Sequence, residues 1–267
     1  MPKKFPFFLF LLILGCSHSP YKDSNKAYKN QTKDLGKLIQ QQPADYFPLQ
    51  DSPFIGTVNF DLRKPNFVII HHTAQNSCPE TLHTFTIKKS QVSAHYVICK
   101  DGTVHHMLND YLRAWQAGVS KWGNNSDINS SSVGIELDNN GYEDFTDLQI
   151  NSLLILLDSL KTRYKIPQEN IIGHGDIAPG RKVDPNYRFP WKLLADHGFG
   201  DWYSDTTGLV VPTGFNDYQA LRIIGYNLKD SMAAVTSFRR HWLQDSTYKP
   251  FDSSSEKILY NLSLKYQ

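Results

Sequence analysis

The chain has 267 residues, of which 40% are hydrophobic and 20% charged, a globular composition with room for one ordinary domain and a small one. The formal net charge is +2, and Lys3 and Lys4 account for it, so the rest of the chain is electrically balanced. A balanced chain lacks the basic surface that nucleic acids attract, which argues against nucleic acid as a partner.

The first fifteen residues have the pattern of a targeting segment. The two lysines precede an apolar run over residues 5–14, which is too short to span a bilayer as a helix. The run ends in Ile-Leu-Gly-Cys at 13–16, which resembles a bacterial lipobox. We therefore predict a lipoprotein signal peptide over residues 1–15 and lipidation of Cys16, with an ordinary secretory peptide as the alternative.

The residues after the signal peptide predict a tether. Ser17 follows the cysteine and, by analogy with Gram-negative lipoproteins, indicates the outer membrane, with the protein facing the periplasm. Residues 16–34 are rich in polar side chains and poor in aliphatic ones, which favours a solvated tether. Residues 35–66 hold short apolar pieces between prolines and are interpreted as a segment that wraps around the domain.

Strands and helices alternate in the next hundred residues. A Ser-x-x-Glu capping box that begins at Ser77 predicts a helix over 79–90, and a second box from Thr146 to Gln149 predicts a longer helix that ends before Pro167. Short runs rich in β-branched residues predict strands at 67–70, 94–99, 103–106 and 132–137. The interleaving predicts an α/β fold, with a mixed central β-sheet flanked by helices.

The pattern changes near Gly200. Apolar residues at helical spacing predict three short helices around positions 218–224, 235–242 and 258–262, and a third capping box starts at Ser253. We therefore predict a main domain over residues 35–199 and a small three-helix domain over residues 200–267.

Two cysteines remain besides the one in the lipobox. Export from the cytoplasm would permit a disulfide between Cys78 and Cys99. Two free, buried thiols are the alternative, and we favour that alternative on the sequence.

A loop dense in glycine and proline, at residues 171–191, brings chemically capable side chains together. It carries His174, Lys182 and Asp184, while His71 stands at the end of a predicted buried strand, where side chains reach an active-site rim. Two histidines and one aspartate leave the fourth position of a zinc ion open, which is typical of a catalytic zinc site.

An acidic residue, Glu136, interrupts an otherwise apolar strand. Burial of a carboxylate there is costly unless it has a partner or a function, and Glu136 suits a general base that acts on water at the zinc. Lys182 would stabilise an oxyanion. The alternatives are that Glu136 only pairs with Lys182 and that Asp184 caps a turn before Pro185. His72 is interpreted as a structural residue.

Four segments together resemble a known family. They are Val-Ile-Ile-His-His-Thr-Ala at 68–74, Ser-Ala-His-Tyr-Val-Ile at 93–98, Val-Gly-Ile-Glu-Leu at 133–137 and Gly-His-Gly-Asp-Ile-Ala-Pro-Gly-Arg-Lys-Val-Asp-Pro at 173–185. They resemble the zinc-dependent N-acetylmuramoyl-L-alanine amidases related to phage lysozyme-type amidases and peptidoglycan recognition proteins. The resemblance covers roughly residues 50–198 and is most specific in the last segment.

The resemblance implies an activity and a set of site residues. It implies one zinc ion per chain held by His71, His174 and Asp184, with Glu136 at the position of the catalytic acid and Lys182 at that of the catalytic lysine. The implied reaction is hydrolysis of the amide between N-acetylmuramic acid and L-alanine in peptidoglycan or its fragments. The implied protein is a monomer whose partners are peptidoglycan, muropeptides and, through Cys16, the membrane.

The resemblance also implies substrate contacts for His95, Trp115 and Gln116, although many relatives have histidine where this chain has Gln116. Residues 220–226 and 235–239 resemble a peptidoglycan-binding helical domain, and the overall arrangement is similar to that of outer-membrane lipoprotein amidases. Two non-catalytic alternatives are a peptidoglycan-recognition protein and a lipoprotein that links membrane and wall. Neither explains why His71, Glu136 and the loop residues occur together.

Overall fold

The computed structural model describes residues 19–40 and 57–267. The chain divides into two compact units, Met1–Phe60 and Asp61–Gln267. The predicted signal peptide, the lipidation site Cys16 and the middle of the predicted wrapping segment lie outside the described residues.

In the first unit, the described part of the predicted tether is helical. Helix α1 spans Lys22–Gln40, and none of its residues is buried. Lysine, glutamine and leucine recur along it, and all three favour helix, so the polar composition that predicted a solvated segment is also compatible with helical backbone. In the two described stretches, no helix is long and apolar enough to cross a membrane.

The second unit is built on a five-stranded mixed sheet, which confirms the predicted fold class. The strands are Phe67–His72 (β1), Tyr96–Ile98 (β2), Val104–His106 (β3), Ser132–Leu137 (β4) and Ile171–Gly173 (β5). Their order in the sheet is β3-β2-β4-β1-β5. The pairs of β1 with β4, β1 with β5 and β2 with β4 are parallel, and β3 is antiparallel to β2. The four parallel strands, β1, β2, β4 and β5, therefore end at the same edge.

The helices of this unit are Cys78–Thr86 (α2), Asp147–Tyr164 (α3), His174–Ile177 (α4), Trp191–Asp196 (α5), Asp217–Ile224 (α6), Ser231–Trp242 (α7) and Ser253–Lys265 (α8). The capping box of α3 forms as predicted, with reciprocal bonds between Thr146 and Gln149. The third predicted box is shifted, because Asp252 rather than Ser253 caps α8. The predicted helix over 79–90 ends at Thr86 and is followed by a single 3-10 turn.

The two faces of the sheet carry different cores. One apolar cluster joins Val68 and Ile70 of β1 to α3 and α5. The other joins Ile69 of β1 and Ile172 of β5 to α6, α7 and α8. Since side chains alternate along a strand, His71 projects to the same face as Ile69. The C-terminal helices thus cover the face of the sheet from which His71 projects.

The predicted boundary at residues 199 and 200 lies inside the second compact unit. The residues predicted to face inward are buried in all three C-terminal helices, with the exception of Tyr218, which is 46% exposed. Leu221, Phe238 and Leu259 are fully buried in the same cluster as Ile69 of the sheet. The C-terminal helices therefore share a core with the sheet and do not enclose one of their own.

Replacing Phe238 with alanine is expected to destabilise the whole second unit by about 3–5 kcal/mol, because a large buried ring leaves a cavity. Phe238 is fully buried in α7 and contacts the rings of Trp242 and Phe251. Urea unfolding followed by far-UV circular dichroism should show one transition that shifts as a whole. Leu264→Ala, at a position that is 47% exposed on α8, is the control and should shift it little. An early transition confined to the C-terminal helices would show that they fold independently.

Cys78 and Cys99 are joined by a disulfide, so the preference for free thiols is wrong. Cys78 opens α2 and Cys99 directly follows β2, and the packing of this helix against this strand places their Cα atoms 5.3 Å apart. The separation of 21 residues along the chain carries no sign of this proximity.

Candidate active site

Three parallel strands deliver side chains to one edge of the sheet. His71 lies opposite Glu136 in the register of β1 with β4, and His174 directly follows the last residue of β5. Neighbouring residues of parallel strands project to the same face, so both side chains stand on the side covered by the C-terminal helices. The sheet thus places two histidines and a glutamate together at this edge.

The loop after β5 folds back and adds Asp184. The backbone N–H of Gly175 donates to the carbonyl oxygen of Asp184 at 2.6 Å. The Asp184 carboxylate oxygen Oδ2 then lies 3.0 Å from Nδ1 of His71 and 2.9 Å from Nδ1 of His174. The predicted loop also contains a helical turn, α4, which the density of glycine and proline did not predict.

The three side chains form a candidate metal site. Their ligand atoms all lie within 4.8 Å of one another, and all three residues are buried. Tetrahedral zinc with bonds of about 2.0–2.2 Å holds its nitrogen and oxygen ligands about 3.3 Å apart, so small shifts of these side chains would accommodate the ion. The donor set, two imidazoles and one carboxylate, is that of a zinc site with a position left open.

Charge and hydrogen bonding distinguish the three groups. Burial alone would raise the pKa of Asp184, but its close contacts with Nδ1 of His174 and Nδ1 of His71 hold it well below its usual range. Burial, aided by the charge of His71, lowers the pKa of His174 to about 4. Burial opposes a charged His71, yet the pKa of His71 is raised because Glu136 and Asp184 outweigh it. Asp184 therefore stays ionised and His174 neutral near pH 7, the states in which both bind metals.

Glu136 borders the site without joining the hydrogen bonds inside it. Its Oε1 lies 4.0 Å from Nδ1 of His71, and its side chain is 13% exposed. Its other oxygen, Oε2, is buried and has no hydrogen-bond partner in the structure. Burial, with a smaller contribution from the charge of Asp184, raises the pKa of Glu136 to about 7 against the opposing charges of His71 and Lys182. A carboxyl group with a pKa near neutrality is suited to proton transfer.

Lys182 lies near Glu136 but does not form an ion pair with it. No ion pair between the two groups occurs within 4.0 Å in the part of the chain that the structure describes, so the alternative that Glu136 only pairs with Lys182 is not supported. Lys182 is half-buried, and its charge still favours the ionised form of Glu136.

Gln116 contacts one histidine of the candidate metal site from the side away from Asp184. Its Oε1 accepts a hydrogen bond of 2.5 Å from Nε2 of His71, and its Nε2 donates to Ser132 Oγ at 2.8 Å. The next residue, Ala117, contacts the other histidine: its carbonyl oxygen accepts a hydrogen bond of 3.1 Å from Nε2 of His174. The predicted substrate contact of Gln116 stays a prediction, and its observed neighbours are His71 and Ser132.

His95 does not lie where a substrate could touch it, and the predicted contact is corrected. The ring is fully buried, its Nε2 donates to the carbonyl of Leu112 at 2.9 Å, and its Nδ1 accepts from the N–H of Gly134 at 3.0 Å. Both ring nitrogens are therefore occupied by backbone. Trp115 is 54% exposed, so its predicted substrate contact remains open. His72 is buried and accepts from the N–H of Asn186, which agrees with a structural role.

Asp176 is a residue that the sequence did not single out. Its Oδ2 accepts from the N–H of Gly173 at 3.0 Å and from His241 Nδ1 at 2.7 Å, and its Oδ1 accepts from the hydroxyl of Tyr226 at 2.8 Å. It thereby ties the turn that carries His174 to the C-terminal helices. Its partners Tyr226 and His241 lie 50 and 65 residues further along the chain, and no local pattern links them to it.

Fold and site together define a class of protein. The protein has an α/β fold with a mixed sheet. A candidate His-His-Asp metal site lies at the ends of the parallel strands, next to the Glu136 carboxyl group, whose pKa is raised. A donor set of this kind beside such a carboxyl group is typical of a hydrolase.

Comparison with known proteins specifies the family. The family model for N-acetylmuramoyl-L-alanine amidase matches residues 61–187. The N-acetylmuramoyl-L-alanine amidase AmiD of Escherichia coli K12 is 36% identical over 230 residues, 74% of this chain and 82% of its own. The 1,6-anhydro-N-acetylmuramyl-L-alanine amidase AmpD of Escherichia coli K12 is 39% identical over 174 residues, 65% of this chain and 85% of its own. The chain belongs to the N-acetylmuramoyl-L-alanine amidase family.

Two solved structures share the fold over most of its length. E. coli AmiD, in complex with anhydro-N-acetylmuramic acid-L-Ala-D-gamma-Glu-L-Lys, superposes with a TM-score of 0.69 at 28% identity, over 79% of this chain and 93% of that one. AmpDh3 of Pseudomonas aeruginosa, in complex with anhydromuramic pentapeptide, superposes with a TM-score of 0.69 at 27% identity, over 85% of this chain and 99% of that one. Both matches extend well beyond the length of the family model.

Proposed function

We propose that this amidase uses one zinc ion, held by His71, His174 and Asp184, to hydrolyse the amide bond between N-acetylmuramic acid and L-alanine in peptidoglycan or its fragments. The single observation that carries the proposal is the juxtaposition of these three ligand atoms within 4.8 Å of one another. A second observation supports the proposal: the Oε2 atom of Glu136, beside these ligand atoms, is buried and has no hydrogen-bond partner. Buried polar atoms are normally hydrogen-bonded, so this oxygen is suited to bind a water or a substrate group.

The proposed chemistry divides between the metal and two protein side chains. Zinc in such a site supplies Lewis acidity, which activates water and polarises a carbonyl group. The Glu136 carboxylate removes a proton from the attacking water while the water oxygen forms a bond to the lactyl carbonyl carbon. The Lys182 ammonium stabilises the negative charge that develops on the carbonyl oxygen. Glu136 then gives its proton to the alanine nitrogen as the C–N bond breaks, which yields a carboxylic acid and a free amine.

The relatives suggest which form of substrate the site takes. The solved AmiD and AmpDh3 complexes contain an anhydromuramic tripeptide and an anhydromuramic pentapeptide. We propose that this chain accepts muropeptides of that kind. The resemblance of residues 200–267 to peptidoglycan-binding helical domains supports an additional contact with polymeric wall.

The function is tested by digestion of purified muropeptides and mass analysis of the products. We expect free stem peptides that begin with L-alanine, and we expect their release to stop when a chelator removes the metal and to resume on addition of zinc. Cleavage at another bond would contradict the substrate assignment. Undiminished release after verified metal removal would contradict the metal dependence.

We further propose that the protein is a monomer anchored by lipid at Cys16 in the outer membrane, facing the periplasm. The support is the lipobox-like sequence at residues 13–16 and the serine that follows it. The balanced charge of the remaining chain is consistent with the absence of a nucleic-acid partner.

Replacing Cys16 with alanine is expected to move the protein from the membrane fraction to the soluble fraction without loss of amidase activity. The anchor would be lost, whereas the candidate site is built from residues 71–184. Fractionation and immunoblotting measure the first effect and muropeptide digestion the second, with Cys99→Ala as a matched cysteine variant that should remain in the membrane. A Cys16→Ala protein that stays in the membrane fraction would show that another segment anchors it.

A further inference from the structure

The outward-facing nitrogens of both metal-site histidines are hydrogen-bonded by consecutive residues of one loop. His71 Nε2 contacts the side chain of Gln116 at 2.5 Å, and His174 Nε2 contacts the backbone carbonyl of Ala117 at 3.1 Å. The carbonyl oxygen of Ala117 can only accept, which favours a proton on Nε2 of His174, although the Arg181 guanidinium lies 3.4 Å from the same nitrogen, and this tautomer leaves Nδ1 to face the site. An amide side chain can either donate or accept. The direction of the hydrogen bond between His71 and Gln116 therefore depends on the orientation of the Gln116 amide group.

The direction of the Gln116 amide is fixed by a chain of hydrogen bonds that ends on a backbone carbonyl. The hydroxyl of Ser132, a buried residue, donates its only proton to the carbonyl oxygen of Ile128 at 2.6 Å. Ser132 Oγ can therefore only accept from Gln116, and the contact of 2.8 Å is made by the NH₂ group of Gln116. The amide oxygen must then face His71, and His71 Nε2 must be the donor.

A glycine makes room for this arrangement. Ser132, Gly134 and Glu136 project to the same face of β4, and the Gln116 side chain lies across the middle one. A Cβ atom at Gly134 would stand 2.7 Å from Cγ and 2.9 Å from Cδ of Gln116. These are atoms in the middle of the side chain, so any larger residue at 134 would displace the amide from His71. Gly134 has no positive φ that would itself demand glycine.

The backbone of the loop is held on both sides. The N–H groups of Gln116 and Ala117 both donate to Asn129 Oδ1, at 3.2 and 2.8 Å. Arg181 donates to the carbonyl of Ala117 at 2.6 Å. The segment that bonds the two histidines is thus anchored to the turn before β4 and to the loop that carries Asp184.

We propose that Gln116 is a positioning residue for His71: its amide oxygen holds the imidazole as the Nε2–H tautomer and directs the Nδ1 lone pair towards the metal. The proposal rests on the zinc centre proposed above. Outer hydrogen-bond partners of this kind typically change metal affinity about 10–100-fold.

Two substitutions of similar size separate this role from simple packing. Gln116→Met fills the same space but has no oxygen to accept from His71, and we expect it to weaken zinc binding about 10–100-fold. Gln116→Glu keeps an oxygen opposite His71, and we expect zinc affinity equal to or above that of the unaltered chain. Competition titration against a zinc chelator measures both. Equal affinity for the methionine variant and the unaltered chain would overturn the proposal, as would equal losses in both variants.

Gly134→Ala tests the same contact without altering Gln116, and it carries the test if Gln116→Met does not fold. We expect its zinc affinity to fall like that of the methionine variant, because the added methyl group displaces the amide. Gly36→Ala is the matched control, since a Cβ atom there meets nothing within 4 Å. Unchanged zinc affinity in Gly134→Ala, in a folded protein, would overturn the proposal.

A second readout does not depend on the enzyme's activity. In the NMR spectrum of protein with ¹⁵N-labelled histidine, the Nε2–H proton of His71 should exchange slowly with water. Gln116→Met should abolish this slow exchange for His71 and leave the N–H signal of His174 unchanged. If the unaltered chain takes up no zinc, the zinc proposal fails, whereas this signal in the metal-free protein still decides whether Gln116 orients the ring. Slow exchange that persists in Gln116→Met would overturn the positioning role.

Discussion

Replacing His174 with alanine is expected to abolish both zinc binding and amidase activity. His174 would supply one of three protein ligands, and the remaining pair, His71 and Asp184, would hold zinc far more weakly. The loss should exceed the approximately 10–100-fold that removal of an outer hydrogen-bond partner costs. Metal content is measured by atomic absorption on the purified variant, and activity by release of stem peptides from muropeptides.

The control for this experiment is His83→Ala. His83 is an exposed histidine on α2, outside the candidate site, and its replacement should leave both metal content and activity unchanged. A His174→Ala protein that still contains one zinc ion per chain would contradict the ligand assignment. If the variant retains zinc and loses activity, His174 would have to act on the substrate and not on the metal.

Replacing Glu136 with glutamine is expected to lower turnover about 10²–10⁴-fold while zinc binding is retained. The carboxylate of Glu136 is 4.0 Å from His71 Nδ1 and makes no hydrogen bond to Asp184 or His174, so it can be neutralised without removal of a metal ligand. Glutamine has nearly the same shape but cannot accept the proton of the attacking water. Turnover is measured under substrate saturation, and zinc content on the same preparation.

Glu169→Gln is the matched control, because Glu169 is exposed and outside the candidate site. Near-normal turnover in Glu136→Gln would remove this residue from the mechanism. Loss of zinc together with turnover would indicate that Glu136 supports the metal, which the distances of the structure do not predict. The two substitutions, at His174 and Glu136, thus separate the proposed metal-binding role from the proposed proton-transfer role.

Local patterns in the sequence determined the fold class and the candidate site residues. Strand β4 has the bounds that its apolar run predicted, and α3 begins with the predicted capping box. His71 could be placed at an active-site rim because it ends a predicted buried strand, and the resemblance to the amidase family grouped it with Glu136, His174 and Asp184. Asp184 follows His174 within one loop of glycine and proline. Such features depend on spacing within a segment, which a sequence displays directly.

Packing between distant segments decided the rest. The disulfide joins residues 21 positions apart, and the hydrogen bond from His71 to Gln116 spans 45. The resemblance assigned His95 to the substrate cleft. In the structure its ring is buried, and both ring nitrogens are hydrogen-bonded to the backbone of Gly134 and Leu112.

The sequence likewise did not predict that the C-terminal helices pack on the sheet. The apolar faces of α6, α7 and α8 predicted that these helices pack, but an apolar face does not specify its partner. The structure supplies Ile69 and Ile172 of the sheet as that partner, and Asp176 links the site loop to Tyr226 and His241. The sequence by itself determined the fold class and which side chains are candidates for the chemistry. Only the tertiary structure decided which atoms face one another, because hydrogen-bond direction and burial depend on neighbours that chain order does not reveal.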